Sequence, residues 1–110
     1  MRLLGLDIGS VRIGLATWNP EARLSTPIEV RTRKTLKEDL SFLKQLLEVR
    51  QIEGFVVGIP YNLEGKETPS TKNALFWSQC LKENFQLPVF ECDEALSTKE
   101  ALSLLRQSGV

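Results

Sequence analysis

The sequence predicts an α/β domain on a mixed sheet, element order βββαβαβα: a three-stranded antiparallel meander, then parallel strands, with helices on both faces. Three observations carry this reading. Two apolar segments flank the dipeptide Gly9-Ser10, a hairpin signal. Two tetrads with the capping-box pattern open stretches of helical periodicity. A short uninterrupted apolar run at 54–59 lies between helical stretches, as a strand buried on both faces does.

The elements follow in order. Residues 3–8 (Leu-Leu-Gly-Leu-Asp-Ile) and 11–18 (Val-Arg-Ile-Gly-Leu-Ala-Thr-Trp) read as the first two strands. Gly9 is expected at the first central position of a type II′ turn, where positive φ is needed. Residues 19–27 read as loop, and residues 28–32 as a short third strand. Thr35-Leu36-Lys37-Glu38 opens a helix, with Leu36, Leu40, Leu43 and Leu47 on one face to about residue 50. The run 54–59 (Gly-Phe-Val-Val-Gly-Ile) is the fourth strand, and residues 60–69 read as an exposed, mobile loop. A second helix starts near Thr68-Pro69, with Pro favoured at the first helical position. It runs to about residue 84 and is expected to be well buried through Ala74, Leu75, Phe76, Trp77, Cys80 and Leu81. Residues 87–92 form the last strand. Ser97-Thr98-Lys99-Glu100 opens a third helix to about residue 107, with Ala101, Leu104 and Leu105 inward and Gly109 as terminator.

A chain of 110 residues, 42% hydrophobic and 25% charged, has the size and composition of one globular domain. Fourteen Lys plus Arg balance fourteen Asp plus Glu, so no global field points to a partner. There is no histidine, which excludes Ser-His-Asp and Cys-His catalysis, histidine-ligated zinc and imidazole proton shuttles. Cys80 and Cys92 lack CxxC spacing and read as reduced core residues, with one disulfide between them as the alternative. No apolar signal segment follows Met1-Arg2, and no stretch approaches membrane-span length. The expectation is a soluble cytoplasmic domain.

Chemistry is expected from acids. Asp7 ends an apolar run beside the first turn, where burying a carboxylate is costly unless donors or a cation satisfy it. It could accept turn amides or bind a cation. Asp93-Glu94 follows the last strand, with Glu91 two residues before. In an open α/β sheet, ligands collect beyond the carboxyl ends of the strands, which would bring Asp7 and the 93–94 pair to one edge. Carboxylates without His or Cys suit Mg²⁺ or Mn²⁺, and two such ions support phosphodiester cleavage. The competing reading is that the 93–94 pair merely flanks a helix start. Arg12 lies near the turn that follows Asp7, and Arg31, Arg33, Lys34 and Lys37 form a basic run without an intervening acid. These cations could contact phosphates or form a solvated loop. Gly65-Lys66 resembles a Walker A ending, but Glu67 and the missing glycine at position 60 exclude a P-loop.

Three blocks together are specific. Asp7-x-Gly9-x-x-Arg12-x-Gly14, Val57-Gly58-Ile59-Pro60-x-Asn62-x-x-Gly65 and Asp93-Glu94-x-x-Ser97-Thr98-x-Glu100-Ala101 resemble, in order and across the chain, the YqgF (RuvX) family. The resemblance implies a ribonuclease-H-like fold related to RuvC-type Holliday-junction resolvases, and processing of the 5′ end of precursor 16S rRNA. It implies that Asp7 is the first catalytic, metal-binding acid and that Asp93 and Glu94 are the acidic pair. Asp7 and Glu94 would hold the cation. Arg12, Asn62, Ser97 and Thr98 fall on motif positions that are substrate-facing or structural. Two departures stand out: Ala95 occupies a position where the family usually has Arg, and the family's C-terminal segment, with its further Asp, is expected to be missing from this single domain.

The leading expectation is a divalent-cation-dependent endonuclease of structured nucleic acid, precursor rRNA or branched DNA, with ribosomal particles as further partners. A non-catalytic nucleic-acid- or ribosome-binding module with a degenerate site is the main alternative, and a Holliday-junction resolvase another. An actin-like ATPase, suggested by Asp-x-Gly-Ser, would need a second lobe to close over the nucleotide.

Overall fold

The computed structural model describes residues 1–62 and 64–93. The elements are β1 (Leu3–Ile8), β2 (Arg12–Asn19), β3 (Leu24–Thr32), α1 (Leu36–Arg50), β4 (Gly54–Ile59), α2 (Pro69–Asn84) and β5 (Val89–Asp93). They form one five-stranded sheet in the order β3-β2-β1-β4-β5. β1 pairs antiparallel with β2 and β2 with β3, whereas β1, β4 and β5 run parallel. The third helix expected over residues 97–107 lies outside the described residues.

The meander departs from expectation at both turns. Gly9 donates its N–H to the Arg12 carbonyl at 2.8 Å, and Ile8 pairs with Ile13, so the turn centres on Ser10-Val11 instead of Gly9-Ser10. Among the described residues the one glycine with positive φ is Gly65, so Gly9 does not serve a type II′ turn. What position 9 requires is space, because a Cβ there would lie 2.8 Å from the Arg12 carbonyl oxygen. The second turn is much shorter than the predicted loop. The Asn19 side-chain oxygen accepts from the Glu21 and Ala22 amides at 3.1 and 3.3 Å, and Arg23 takes the left-handed conformation (φ 49°). β3 therefore starts at Leu24 and includes Pro27. A proline is tolerated because β3 is an edge strand, and the register slips beside it, between Leu15 and Ala16.

Both helices start where local chemistry says they should. Thr35 caps α1 by accepting from the Glu38 amide at 3.2 Å, and its hydroxyl donates to the Glu38 carboxylate at 3.0 Å. Gln51, in the left-handed region (φ 55°), ends the helix. Thr68 and Thr71 form a reciprocal box at the start of α2, with Pro69 in the first turn. The Thr71 hydroxyl also bonds the Pro60 carbonyl, tying that helix start to the end of β4.

The core lies on one side of the sheet. Leu4, Leu6 and Ile8 of β1, Ile13 and Leu15 of β2, and Phe55, Val57 and Ile59 of β4 share a face by register. Leu43 of α1 and Ala74, Trp77 and Leu81 of α2 close over them. Truncating a fully buried aromatic such as Trp77 costs about 3–5 kcal/mol, so these contacts dominate the stability of the layer. Phe76 departs from the expected buried set: it stands 54% exposed on the outer side of α2. Cys80 and Cys92 are both half-buried, and no disulfide joins them.

Candidate active site

Parallel β1, β4 and β5 deliver their carboxyl ends to one edge of the sheet, where such folds gather ligands. β3 also ends there, since it is antiparallel to β2, which is antiparallel to β1. That edge therefore collects Asp7, the Gly9–Arg12 turn, the loop after β4, Asp93 and the first turns of both helices.

Asp7 is half-buried near the end of β1 and pairs across the ladder with Gly14. A Cβ at Gly14 would sit 3.5 Å from the Asp7 Cβ, so the neighbouring position is left clear by the absence of a side chain. By alternation Asp7 belongs to the face opposite Leu6 and Ile8, away from both described helices. An open cavity of about 360 Å³ lies there, lined by Gly5, Asp7, Gly14, Ala16, Pro27 and Val30 among others.

The second acid is placed by its backbone. Asp93 stands in register with Ile59, two residues past the Val57–Glu91 pair, and Asp7 follows the Leu6–Val57 pair by one residue. The two positions are thus nearly level along the sheet, with β4 between them and about 10 Å from strand axis to strand axis, but position 93 shares the register face of Ile59, opposite to the face of Asp7. Glu94, Ser97 and Thr98 lie outside the described residues. No group of three His, Cys, Asp or Glu that could hold a metal ion occurs among the described residues. The donor type at this edge, carboxylate oxygen in a chain with no histidine, fits a hard divalent cation.

The predicted basic residues divide into two kinds. Arg12 is exposed at the start of β2, and the Lys34 and Lys37 side chains are exposed before and within the first turn of α1. Arg31 and Arg33 instead hold the fold together. Arg31 donates through Nε to the Asp39 carboxylate at 3.1 Å and its guanidinium lies 4.3 Å from the Phe42 ring centroid. Arg33 donates through Nη1 to the Gly9 carbonyl at 2.7 Å, and its guanidinium lies 5.6 Å from the Trp77 ring centroid.

Asn62 is equally occupied. Its side-chain oxygen accepts from the Glu64 and Lys66 amides at 2.9 and 2.8 Å, and its backbone N–H donates to the Lys66 carbonyl at 3.0 Å. With Gly65 at φ 77°, these bonds fold the segment after β4 into a compact turn.

Two further residues at this edge, Asp39 and Asn73, belong to none of the sequence motifs. Asp39 is 1% exposed and accepts from Arg31 Nε and from the Lys34 amide, at 3.1 and 3.0 Å. Its signal lay in the helix pattern: position 39 is three after Leu36 and four before Leu43, hence on the inward face. Asn73 donates to the Gly9 carbonyl at 3.4 Å from the first turns of α2, a contact 64 residues away in sequence with no local signal.

Known proteins share this architecture. A relative from Syntrophomonas wolfei named "Putative pre-16S rRNA nuclease" is 36% identical over 110 residues, covering 100% of this chain and 78% of that protein. Proteins of the same name from Bradyrhizobium diazoefficiens and Koribacter versatilis are 38% and 36% identical over 96 and 107 residues. There the match covers 87% and 97% of this chain, which spans 60% and 70% of those relatives. Among solved structures, the Fowlpox virus resolvase in complex with Holliday junction DNA superposes with a TM-score of 0.51 at 13% identity. That match covers 97% of this chain and 74% of the resolvase. A ROK family protein from Streptococcus pneumoniae TIGR4 superposes at 0.59 with 21% identity, over 97% of this chain and 39% of that one. At these identities the likeness is one of fold, the ribonuclease-H-like α/β architecture. The sequence model of the RuvX family, described as Holliday junction resolvase, matches residues 1–110 from end to end, and the chain belongs to that family.

Proposed function

We propose that this protein is a divalent-cation-dependent endonuclease that hydrolyses phosphodiester bonds in structured nucleic acid, with the 5′ end of precursor 16S rRNA as its substrate. The observation that carries the reading is Asp7: a half-buried carboxylate at the carboxyl edge of the sheet, beside a cleared neighbour and an open cavity. Family membership and the nuclease name of the relatives supply the substrate class. Asp7 and Glu94, with Asp93 nearby, would hold Mg²⁺ or Mn²⁺. Such an ion would activate water and stabilise the leaving oxygen. Arg12 and Lys34, exposed at the same edge, would grip backbone phosphates and set the register of the strand without reading its sequence. Asn62 would shape the loop that borders the substrate. No helix among the described residues is long and apolar enough to cross a membrane, and an rRNA substrate places the reaction in the cytoplasm beside ribosomal particles.

The test is cleavage of a precursor-rRNA fragment and of a four-way DNA junction with Mn²⁺, comparing the wild type with Asp7→Asn. The expected result is cleavage of the RNA by the wild type and a loss of at least about 10³-fold in the variant, the size of effect removing a catalytic group produces. A fully active Asp7→Asn protein refutes the mechanism. Junction cleavage without rRNA cleavage would reassign the substrate to branched DNA. RNA binding that persists in EDTA, with no product in Mn²⁺, would establish the non-catalytic binding module instead, a reading favoured by Ala95 at the position where the resemblance expects Arg.

A further inference from the structure

We propose that Arg33 is a positioning residue for the site, holding Asp7 and Arg12 in place by binding the turn between them; this rests on the reading of Asp7 as the catalytic acid. The turn that separates Asp7 from Arg12 presents three successive carbonyls, those of Gly9, Ser10 and Val11. All three accept from Arg33. Its Nη1 donates to the Gly9 carbonyl at 2.7 Å and to the Ser10 carbonyl at 3.4 Å, and its backbone N–H donates to the Val11 carbonyl at 2.8 Å. Asn73 of α2 adds a contact to the Gly9 carbonyl at 3.4 Å. Carbonyls at a hairpin tip ordinarily face water; here a single cationic side chain and its backbone gather them.

The clamp is itself anchored. On either side of Arg33, the Arg31 side chain and the Lys34 amide both donate to Asp39, which is buried in α1. The Arg33 guanidinium lies 5.6 Å from the ring centroid of Trp77, fully buried in α2. The position of the turn is thereby referred to both helices through one residue. Gly9 cannot yield: its N–H bonds the Arg12 carbonyl at 2.8 Å, the atom a Cβ would strike. Asp7 lies two residues before this fixed point and Arg12 three residues after it, so a shift of the turn moves both.

A positioning role differs from a phosphate contact in what its loss changes. Arg33 spends Nη1 and its backbone N–H on the protein's own carbonyls, so its removal should leave the grip on RNA intact and misplace the acid. Misplacement of a reacting group by about 1 Å costs up to about 100-fold in rate.

The experiment uses the full chain with Mn²⁺ and a precursor-rRNA fragment, comparing wild type, Arg33→Leu, Arg33→Lys and Asp7→Asn. Arg33→Leu is expected to lower kcat by about 10- to 100-fold. It should also raise the Mn²⁺ concentration for half-maximal rate and leave the KM for RNA within about twofold, since uniform binding is untouched. Arg33→Lys, whose ammonium can still reach one carbonyl, should restore part of kcat. Amide exchange at Gly9 should quicken in Arg33→Leu and not in Asp7→Asn. A rise in KM with a flatter salt dependence and an unchanged kcat would make Arg33 a phosphate contact and overturn the proposal, as would wild-type kinetics in Arg33→Leu. If Arg33→Leu fails to fold, Arg33→Lys carries the test: a quickened Gly9 amide with wild-type kcat in that variant refutes the positioning role. A wild type that binds RNA but never cuts refutes the nuclease reading and this proposal with it, whereas an active wild type with indifferent Arg33 variants refutes this proposal alone.

Discussion

Replacing Asp39 by Ala tests whether a buried acid organises the segment that leads into the site. The carboxylate is 1% exposed and accepts from Arg31 Nε at 3.1 Å and from the Lys34 amide at 3.0 Å. Hydrogen bonds to a charged group contribute about 1.5–3 kcal/mol each. Two of them, less whatever water recovers at the half-buried Arg31 side, give a cost of about 3 kcal/mol. The independent comparison agrees, since breaking one side of a buried ion pair costs about 3–5 kcal/mol. For a chain of this length that is a fall in Tm of roughly 12 °C or more. The surface pair Lys66–Glu64, with both side chains more than 70% exposed, should contribute less than about 1 kcal/mol by contrast.

Urea unfolding of wild type, Asp39→Ala, Arg31→Met and the double variant measures this directly. The expected result is a lowered midpoint with an unchanged slope for each single variant, and a double variant that costs about 1–2 kcal/mol less than the sum. A loss below about 1 kcal/mol for Asp39→Ala, or strict additivity in the cycle, would show that water satisfies these groups and that the clamp is not anchored at α1.

Two further outcomes follow from side chains already in use. Asn62→Ala should quicken amide exchange at Glu64 and Lys66 while lowering stability by no more than about 1 kcal/mol, because the lost bonds are exposed; unchanged exchange would mean that the Asn62 side chain does not hold the turn. Burial pushes the Cys80 thiol above its ordinary value, with Glu83 adding in the same direction. The raised value means the folded state favours the protonated thiol. This contribution to stability is whole below the ordinary thiol value and is lost as pH rises through the raised one, a window that opens near pH 9.0. Alkylation at Cys80, followed by peptide mapping, should therefore lag a free thiol near that pH, and equal rates would refute the assignment.

Local features were legible in the sequence and tertiary ones were not. The caps at Thr35 and Thr68 involve partners three residues away, so the residue types suffice to place both helix starts. The parallel strand 54–59 was legible because it is an interior strand of the sheet and almost wholly buried, which its uninterrupted apolar run reflects. The beginning of β3 was hidden by Pro27, which signals loop unless the strand is known to lie at the sheet's edge, a fact that only the assembled topology supplies. Gly9 announced the hairpin but misplaced its centre by one residue: sequence rules know its tolerance for positive φ, but here the demand on it is for space beside the Arg12 carbonyl.

The basic run shows the same division, with consequences for reading any mutational scan of this site. Arg31, Arg33, Lys34 and Lys37 look alike in sequence as a phosphate-binding stretch, yet the first two are consumed by Asp39 and by the carbonyls of the first turn. Neutralising Arg31 or Arg33 would remove a folding contact or shift Asp7, and lost activity would follow in either case without any contact to RNA. Neutralising Arg12 or the Lys34 side chain removes a charge with no such internal duty among the contacts described. Only in those variants does weakened binding report on a phosphate. Distinguishing the two kinds needs the salt dependence of binding beside the rate, since a lost phosphate contact flattens the salt slope and a lost clamp leaves it alone. The fold has thus divided one run of like charges between internal contacts and solvent, Arg31 being claimed by Asp39 on α1, whose place on the inward helix face was its only mark in the sequence, and Arg33 by the carbonyls of the first turn.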